Sequence, residues 1–230
     1  MTTHILLTGA SRGIGAAIAD TLRARDVQLF AASSGDADLS SPDGPSTLWQ
    51  AALDKLDGRI DILINNAGVF EASPIDEPDD IWVDQWRRTM TINLEASAVL
   101  SRAAILHWQA RGTGGRIVNV ASRAAYRGDS PAHWHYAASK AGMVGMTKTI
   151  ARGYAGQNIL AFAICPGFTM TGMATDYLAS RGGDKLLADI PLGRVAAPEE
   201  IATIATFLAL DAPPSMTGAV LDANGASYVR

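Results

Sequence analysis

The chain has 230 residues, of which 48% are hydrophobic and 18% are charged, and its formal net charge at pH 7 is -4. This composition excludes a disordered chain, and the acidic balance without any basic block argues against a nucleic-acid or anionic-membrane partner. One cysteine, Cys165, excludes an intramolecular disulfide and a cysteine-based zinc site. The longest nearly apolar run, Ile201 to Leu210, is too short to span a bilayer, and an apolar strand beginning by residue 5 leaves no room for a signal peptide. We therefore expect a soluble, cytoplasmic protein.

Short apolar runs alternate with helical patterns from one end of the chain to the other. Strands are predicted at Ile5–Leu7, Val27–Ala31, Ile60–Ile64, Ile117–Val120, Ile159–Ile164 and Ala219–Asp222. Helices are predicted at Ile14–Arg25, Leu48–Leu56, Asp80–Ala110, Trp134–Tyr154 and Pro198–Leu210, and the pattern allows the third of these to break near Asn93. Strict alternation predicts right-handed crossovers and a parallel sheet with helices on both faces. The expected fold is α/β, a doubly wound, Rossmann-like sheet that forms a single domain over residues 1–230.

The first strand leads into a glycine-rich turn, Thr8-Gly9-Ala10-Ser11-Arg12-Gly13-Ile14-Gly15, and then into a helix. Glycine allows a tight turn and a close approach of the backbone to a pyrophosphate, while the start of the helix presents free N–H groups to it. An ordinary strand-to-helix turn is the alternative interpretation, and the strand–turn–helix context favours a dinucleotide site.

The identity of the dinucleotide depends on charge at the end of the second strand. An NAD site usually has an acidic residue there, which accepts a hydrogen bond from the ribose 2′-hydroxyl. Here the strand ends in Ser33 and Ser34, and the first acid is Asp36. Arg12 lies in the glycine turn, where a guanidinium could pair with a 2′-phosphate. NADP(H) is therefore favoured, and NAD(H) stays open because Asp36 or Asp38 could reach a ribose.

Tyr136 and Lys140 are one helical turn apart and therefore share a helix face. Free tyrosine has a pKa near 10, and a nearby ammonium, together with an oxidised nicotinamide, would lower it. Ser122 follows strand Ile117–Val120 at the carboxyl edge, where open α/β sheets bind ligands, and could donate to a substrate carbonyl oxygen. Asn93 is a poor helix former that could hold a backbone carbonyl or a water molecule.

Together these motifs resemble the short-chain dehydrogenase/reductase family over nearly the whole chain and in the expected order. The motifs are Thr8–Gly15, Asn65–Gly68, Asn93, Ser122, Tyr136 with Lys140, Pro166-Gly167 and the closing Asp222-Ala223-Asn224-Gly225. The branch that looks most similar contains beta-ketoacyl-carrier-protein reductases and related carbonyl reductases.

The resemblance implies a role for each residue of the reaction centre. Tyr136 would be the general acid/base, and Lys140 would lower its pKa and hold the nicotinamide ribose. Ser122 would orient the carbonyl, and Asn93 would support a water-mediated proton relay. The residues expected to contact the cofactor are Gly9, Ser11, Arg12, Gly13, Ile14, Gly15, Ser33, Ser34, Asp38, Leu39, Asn66, Ala67, Gly68, Tyr136, Lys140, Pro166, Gly167, Thr169 and Thr171.

The resemblance also implies a homodimer or homotetramer with its main interface on two helices, around Asn93 to Ala110 and Trp134 to Tyr154. A segment at about 168–193, rich in methionine, leucine and glycine, resembles a substrate lid. Thr171 in this segment would lie near the nicotinamide carboxamide, or cap a helix.

The chain departs from the family pattern after its second strand. Only Ala32 to Ala37 separates that strand from Asp38 and Leu39, the pair that in the family touches the adenine. A parallel crossover needs about a dozen residues or more. We therefore predict that the helix between strands 2 and 3 is absent, that the third strand is lost or vestigial, and that the adenosine pocket is open.

The loop between Ser122 and Tyr136 is one residue longer than the family's common spacing, which should alter the pocket wall rather than the chemistry. Its arginines, Arg123 and Arg127, could bind a substrate carboxylate or phosphate, although exposed loop arginines are the commoner case. The histidines at 133 and 135 have no obvious third ligand, so no metal site is expected.

We therefore expect an oxidoreductase that transfers a hydride between NADP(H) and a secondary alcohol or ketone. One alternative is an NAD-dependent alcohol dehydrogenase that works in the oxidative direction. An alternative of another class is a non-catalytic dinucleotide-binding sensor or assembly subunit. The complete set of Asn93, Ser122, Tyr136 and Lys140 argues against that class, since a binding protein has no need to keep all four.

Overall fold

Six parallel strands form one sheet in the order β2-β1-β3-β4-β5-β6 in the computed structural model, which describes residues 2–170 and 187–230. The strands are β1 (Thr3–Leu7), β2 (Val27–Ala31), β3 (Ile62–Asn65), β4 (Gly115–Val120), β5 (Ile159–Pro166) and β6 (Val220–Ala223). The described α-helices are α1 (Gly13–Arg23), α2 (Gly44–Lys55), α3 (Asp79–Met90), α4 (Ala96–Arg111), α5 (Ala124–Arg127), α6 (Trp134–Tyr154) and α7 (Pro198–Thr206).

Apolar side chains cover both faces of this sheet, because alternate residues of each strand point to opposite sides. One core cluster joins the sheet to α1 and α7 through residues such as Ile18, Leu22 and Ile201. The other joins it to α2, α4 and α6 through residues such as Leu48 and Leu100. The predicted doubly wound, Rossmann-like α/β fold is confirmed.

The segment between β2 and α2, residues 32–43, is fully described and contains neither a helix nor a strand. The chain leaves β2, turns over the sheet edge and enters α2 at Gly44, where a Cβ would overlap the carbonyl oxygen of Asp38. Leu39 packs against the core cluster that includes α2. The predicted absence of the helix and of the third strand is confirmed, and β2 therefore forms one edge of the sheet.

The boundaries of several elements differ from those predicted. The long predicted helix consists of α3 and α4, joined by a π-helical turn at Thr91–Glu95. A second π turn, Phe207–Asp211, follows α7. Strand β3 begins at Ile62 instead of Ile60, because the Ile60 carbonyl accepts a hydrogen bond from the indole Nε1 of Trp108 at 2.7 Å.

The predicted lid and the question of a membrane-spanning helix can be addressed only for the described residues. The predicted lid at 168–193 lies largely outside the described residues, since 171–186, and with them Thr171, are not among those described. Among the described helices, none is long and apolar enough to cross a membrane.

Candidate active site

The glycine turn passes so close to the segment after β3 that side chains are excluded. Gly9 has a φ of +67° and Gly13 a φ of +55°, both in the left-handed region that favours glycine. A Cβ on Gly9 would lie 2.7 Å from Cα of Ala67, and one on Gly15 would overlap the Gly9 carbonyl oxygen. Packing therefore requires glycine at positions 9 and 15, and the left-handed backbone favours it at position 13.

Thr8 and Asn66 hold the turn in place through two sets of hydrogen bonds. Oγ1 of Thr8 accepts from the backbone N–H groups of Asn66 and Ala67, each at 3.0 Å. The Asn66 side chain donates from Nδ2 to the carbonyl oxygens of Thr8 at 3.0 Å and Gly9 at 2.9 Å. Asn66, predicted from the sequence to contact a cofactor, has its amide group committed to the shape of the turn.

The start of α1 fits the pyrophosphate of a dinucleotide. Arg12 is the N-cap residue, its side chain forms no capping hydrogen bond, and the first turn contains no acidic residue. The first backbone N–H groups of a helix have no partner within the helix and carry its positive dipole end. Ser11 and Arg12 are exposed beside them, and among the described residues the Arg12 guanidinium has no ion-pair or hydrogen-bond partner.

The end of β2, where a dinucleotide would place its adenosine, is shaped by short-range hydrogen bonds. Oδ2 of Asp36 accepts from the backbone N–H of Ser33 at 2.8 Å and from its hydroxyl at 3.0 Å. Oδ1 of Asp38 accepts from the N–H of Ser40 at 2.9 Å and its hydroxyl at 2.7 Å, and these bonds lower the pKa of Asp38. Both carboxylates are thus turned toward their own segment, while Ser34 is exposed.

Ser122, Tyr136 and Lys140 meet at the carboxyl end of β4. The Ser122 hydroxyl lies close enough to the Tyr136 phenol to act on its pKa. Nζ of Lys140, which is only 4% exposed, donates to the carbonyl oxygen of Val120 at 2.9 Å and lies 5.8 Å from the centre of the Tyr136 ring. Oγ of Ser122 also accepts from the N–H of Ala124 at 3.1 Å, so its orientation is fixed. The structure therefore brings together three of the four predicted catalytic side chains.

The pKa of the Tyr136 phenol reflects its burial. Burial raises the pKa of Tyr136 to about 12, although the hydrogen bond from Ser122 opposes this rise. Burial also lowers the pKa of Lys140 to about 8, because an ammonium is poorly solvated there. Lys140 is not among the groups that shift the pKa of Tyr136, so burial sets it in the chain without a cofactor. At neutral pH the phenol is therefore protonated. The lowering expected from Lys140 together with an oxidised nicotinamide stays a prediction.

Asn93, the fourth predicted catalytic residue, lies in the π turn and is fully buried. Its Oδ1 accepts from the N–H of Val69 at 2.8 Å, and its Nδ2 donates to the carbonyl oxygen of Val69 at 3.0 Å. Nδ2 also donates to Oγ of Ser139 at 3.2 Å, and this hydroxyl donates to the Tyr136 carbonyl oxygen at 2.7 Å. Asn93 therefore connects the loop after β3 to the helical turn that carries Tyr136.

Gly68 completes this arrangement from the loop after β3. A Cβ on Gly68 would lie 3.2 Å from Oδ1 of Asn93 and 3.5 Å from Nζ of Lys140. The backbone of the loop therefore passes directly over both side chains.

Sequence reasoning did not identify a chain of buried polar groups beneath the site. Nδ2 of Asn65 donates to Oδ1 of Asn119 at 2.8 Å, and Nδ2 of Asn119 donates to Oγ1 of Thr147 at 2.8 Å. These bonds join β3, β4 and α6. The available signal was an asparagine beside apolar residues in each of two strands, Asn65 in β3 and Asn119 in β4, since a buried amide requires partners.

The segment after β5 contributes the remaining predicted contacts. A Cβ on Gly167 would lie 2.8 Å from Cα of Asn224, so Gly167 packs against the end of β6. Pro166 is the buried last residue of β5. Oγ1 of Thr169 donates to the Gly167 carbonyl oxygen at 3.3 Å, so this hydroxyl is turned toward its own backbone.

In the loop after Ser122, Arg123 is buried, whereas the sequence favoured exposed arginines there. Arg123 is only 9% exposed, lies over the Phe168 ring at 4.8 Å and has its Nη1 3.6 Å from Oδ2 of Asp189. The same carboxylate oxygen accepts from Arg127 at 2.6 Å. The interpretation as a surface residue is therefore wrong for Arg123. Across the described residues, no group of three or more His, Cys, Asp or Glu side chains is arranged to hold a metal ion.

Comparisons with known proteins show which family this chain is similar to. A family model described as enoyl-(acyl carrier protein) reductase matches residues 35–225. The 3-oxoacyl-(acyl-carrier-protein) reductase of Vibrio cholerae is 32% identical, over 97% of this chain and 96% of that protein. The acetoacetyl-CoA reductase of Shinella zoogloeoides is also 32% identical, over 99% of both chains.

A solved structure shows the same fold. It is that of a proposed NAD(P)-dependent gluconate 5-dehydrogenase from Beutenbergia cavernae with bound NADP at low occupancy, and its TM-score is 0.84. That protein is 31% identical, over 98% of this chain and 96% of the other. Sequence, fold and site geometry thus agree: the chain belongs to the short-chain dehydrogenase/reductase family of NAD(P)-dependent oxidoreductases.

Proposed function

We propose that this protein is an NADP(H)-dependent carbonyl reductase that transfers a hydride between the cofactor and a ketone or secondary alcohol. The observation that carries the proposal is the meeting of three groups at the carboxyl end of β4: the buried Ser122, the phenol of Tyr136 and the buried Lys140 ammonium, whose Nζ lies 5.8 Å from the centre of the Tyr136 ring. A pair of hydroxyls at this sheet edge can bind one carbonyl oxygen and give it a proton. A non-catalytic dinucleotide sensor would have no use for such a pair.

The protonation state of the site supports the reductive direction. When bound, the nicotinamide supplies or accepts the hydride. The phenol of Tyr136 keeps its proton at neutral pH because its pKa is about 12, so it can donate that proton to the oxygen as the carbonyl becomes an alcohol. Ser122 orients the same oxygen by donating a second hydrogen bond. The positive charge of Lys140 then stabilises the phenolate that remains.

Asn93 contributes to the reaction by holding other groups of the site in place. By holding both backbone groups of Val69 and the Ser139 hydroxyl, it fixes the loop after β3 against the helix that carries Tyr136. We assign to it the support of a water-mediated proton relay that restores the proton of Tyr136.

The free positive charge of Arg12 supports the choice of NADP(H). A guanidinium without a protein partner at the mouth of the glycine turn can form charge-assisted hydrogen bonds with a 2′-phosphate. The related solved structure with bound NADP supports the same choice. The turns at Ser33 and Asp38 would face the adenosine, and the segment from Pro166 to Thr169 would face the nicotinamide.

We propose further that one dinucleotide-binding domain spans the chain, and that the protein acts in the cytoplasm as a homodimer or homotetramer whose interface lies on α4 and α6. Relatives named as 3-oxoacyl and acetoacetyl reductases support a ketone as the substrate.

The test compares Tyr136→Phe with the unchanged protein on a panel of ketones, with NADPH consumption followed by absorbance. Loss of the phenolic proton should reduce turnover by about 10²–10⁴-fold while NADPH binding stays the same. Tyr154→Phe, near the end of α6, is the matched control and should retain full turnover. Undiminished reduction by Tyr136→Phe would rule out the proposed role of the phenol, and the absence of reduction by the unchanged protein on every ketone would favour the sensor.

A further inference from the structure

A pair of stacked aromatic rings lies directly against Tyr136. The rings of Phe70 and His133 are almost parallel, with an interplanar angle of 6° and centroids 4.0 Å apart. The Phe70 ring also meets the Tyr136 ring edge to face, at 4.7 Å and 80°. The phenol therefore has an aromatic neighbour that belongs to none of the family motifs identified in the sequence.

The two rings come from two loops, the loop after β3 and the loop before α6, and a hydrogen bond joins these loops. Phe70 follows Val69, whose backbone is held by Asn93 at 2.8 and 3.0 Å. The N–H of Ser73 donates to the Ala132 carbonyl oxygen at 2.8 Å and thereby joins the loop after β3 to the loop before α6. The rings are therefore held by backbone contacts, so their position does not depend on side-chain packing alone.

The histidine of the pair is also fixed and uncharged. Its Nδ1 is 2.6 Å from Oγ of Ser130, within hydrogen-bond distance. Burial lowers the pKa of His133, so the imidazole is neutral at physiological pH. The pair is half-buried, carries no charge and contacts the ring of the residue that bears the reacting hydroxyl.

Such a surface distinguishes between ketones by shape. Aromatic rings attract one another in offset or edge-to-face arrangements by more than their buried area alone predicts. A flexible alkyl chain gains only the burial term and loses conformational freedom when it is held against the wall. A planar group next to the carbonyl would therefore be favoured when the carbonyl oxygen is bound to Ser122 and Tyr136.

We propose that Phe70 and His133 are specificity-determining residues of the active site, which select ketones bearing an aromatic or other planar ring over open-chain ketones. This inference rests on the proposed carbonyl reductase function and adds the class of substrate to it.

The experiment uses two methyl ketones with the same number of carbon atoms, acetophenone and 2-octanone, with NADPH. The unchanged protein should show a kcat/KM for acetophenone about three- to tenfold above that for 2-octanone. Phe70→Leu keeps an apolar side chain but removes the ring. It should abolish most of this preference, mainly through a higher KM for acetophenone, while 2-octanone changes less than about twofold. Phe70→Tyr, which keeps the ring, should retain the preference.

Two further variants locate the effect. His133→Asn can retain the bond to Ser130 but removes the stacked ring, so it should reduce the preference in the same direction as Phe70→Leu. Phe207→Leu removes a partly exposed phenylalanine from the π turn after α7 and should leave the ratio unchanged. An equal effect of Phe70→Leu on both ketones, or the absence of a preference in the unchanged protein, would overturn the proposal.

A binding measurement separates this proposal from the proposed function. Calorimetry with the protein saturated by NADP+ should show 1-phenylethanol binding about three- to tenfold more weakly to Phe70→Leu than to the unchanged protein, with 2-octanol unaffected. Reduction of both ketones without a ring preference contradicts only the specificity proposal. If neither ketone is reduced, the carbonyl reductase function is contradicted for these substrates, and equal binding of the two alcohols would then overturn the specificity proposal as well.

Discussion

The reaction centre and the segment of residues 32–43 after β2 lie at the same carboxyl edge of the sheet, yet they are held in place by different means. In the reaction centre Tyr136 is half-buried and its polar neighbours are buried, and their hydrogen bonds join distant parts of the chain, such as Asn93 to Val69 and Lys140 to Val120. The segment after β2 is largely exposed, and its carboxylates bond to residues at most three positions away. Changes in the first region therefore disturb the fold together with the chemistry, whereas changes in the second should alter cofactor preference alone.

The largest expected effect comes from Lys140→Met, which should lower kcat/KM by about 10²–10⁴-fold because the phenolate of Tyr136 loses its counter-charge. The same substitution should stabilise the fold at pH 7. Burial lowers the pKa of Lys140 from 10.5 to about 8, which corresponds to ~3 kcal/mol of destabilisation while the ammonium is charged. Loss of the bond to Val120 offsets about 1 kcal/mol of this gain.

This stability difference should depend on pH. Between about pH 8 and 10.5 the unfolded chain binds the lysine proton and the folded chain does not, so the unchanged protein becomes more stable as pH rises. The advantage of Lys140→Met in urea unfolding should therefore shrink over this range. Lys148→Met, at an exposed position of the same helix, should show neither effect. A Lys140→Met protein that is less stable at pH 7 would show that the buried ammonium does not oppose folding.

The next largest effect is expected for Asn93→Leu, which should destabilise the fold by about 2–4 kcal/mol. The substitution leaves the N–H and carbonyl oxygen of Val69 without their partner, and an unsatisfied buried group costs about 1–3 kcal/mol. Urea unfolding measures the loss. Gln109→Leu removes an exposed hydrogen bond from α4 and should change stability by less than about 0.5 kcal/mol. A comparable effect of the two substitutions would remove the contrast between the buried and the exposed region.

A smaller effect, confined to one cofactor, is expected for Arg12→Ala. Hydrogen bonds to charged groups contribute about 1.5–3 kcal/mol, so the Kd for NADPH should rise about tenfold or more, while that for NADH changes little. Fluorescence titration of both cofactors measures this, and stability should not change because Arg12 is exposed. Arg152→Ala, an exposed position far along α6, serves as the control. Equal weakening of both cofactors would show that Arg12 does not bind a 2′-phosphate.

The smallest effect is expected for Asp36→Asn. The amide oxygen can still accept from the N–H of Ser33, so the turn is retained, but a negative charge is removed near the expected 2′-phosphate. We expect the affinity for NADPH to rise about threefold, which corresponds to the 0.2–1 kcal/mol typical of exposed charge pairs. The titration is repeated with Asp57→Asn as a control at an exposed position. Weaker NADPH binding by Asp36→Asn would indicate that the carboxylate shapes the site more than it repels the phosphate.

The fold was largely predictable because its signals are local. A fully buried parallel strand such as Ile62–Asn65 reads as an apolar run, and a dozen residues or more are needed for a crossover, so the short segment after Ala31 predicted the missing helix. The spacing of Tyr136 and Lys140 similarly placed both on one face of α6. Periodicity and spacing were sufficient for each of these predictions.

The parts of the site that were not predicted depend on which groups meet in three dimensions. Nothing near Asn66 in the sequence indicates that its amide binds the carbonyl oxygens of Thr8 and Gly9, which are more than fifty residues away. The sequence argument for the pKa of Tyr136 counted the charges of Lys140 and of an oxidised nicotinamide, and it could not count the desolvation that raises this pKa in the chain without a cofactor. Spacing along a helix defines which groups are neighbours, but desolvation depends on the whole surrounding structure.

The π turn at Thr91–Glu95 implies that, apart from changes at Asn93, substitutions in that stretch should be tolerated better than changes in length. A π turn is an α-helix with one inserted residue, so deletion of one residue here would restore regular helical geometry. It would also rotate α3 against α4 by about 100°, the angle per residue of an α-helix. Either the α3 face that packs on α6 or the buried side of α4 would then leave its contacts, and the carboxamide of Asn93 would point away from Val69. The direction of the Asn93 side chain thus depends on the one additional residue that the π turn inserts into the helix.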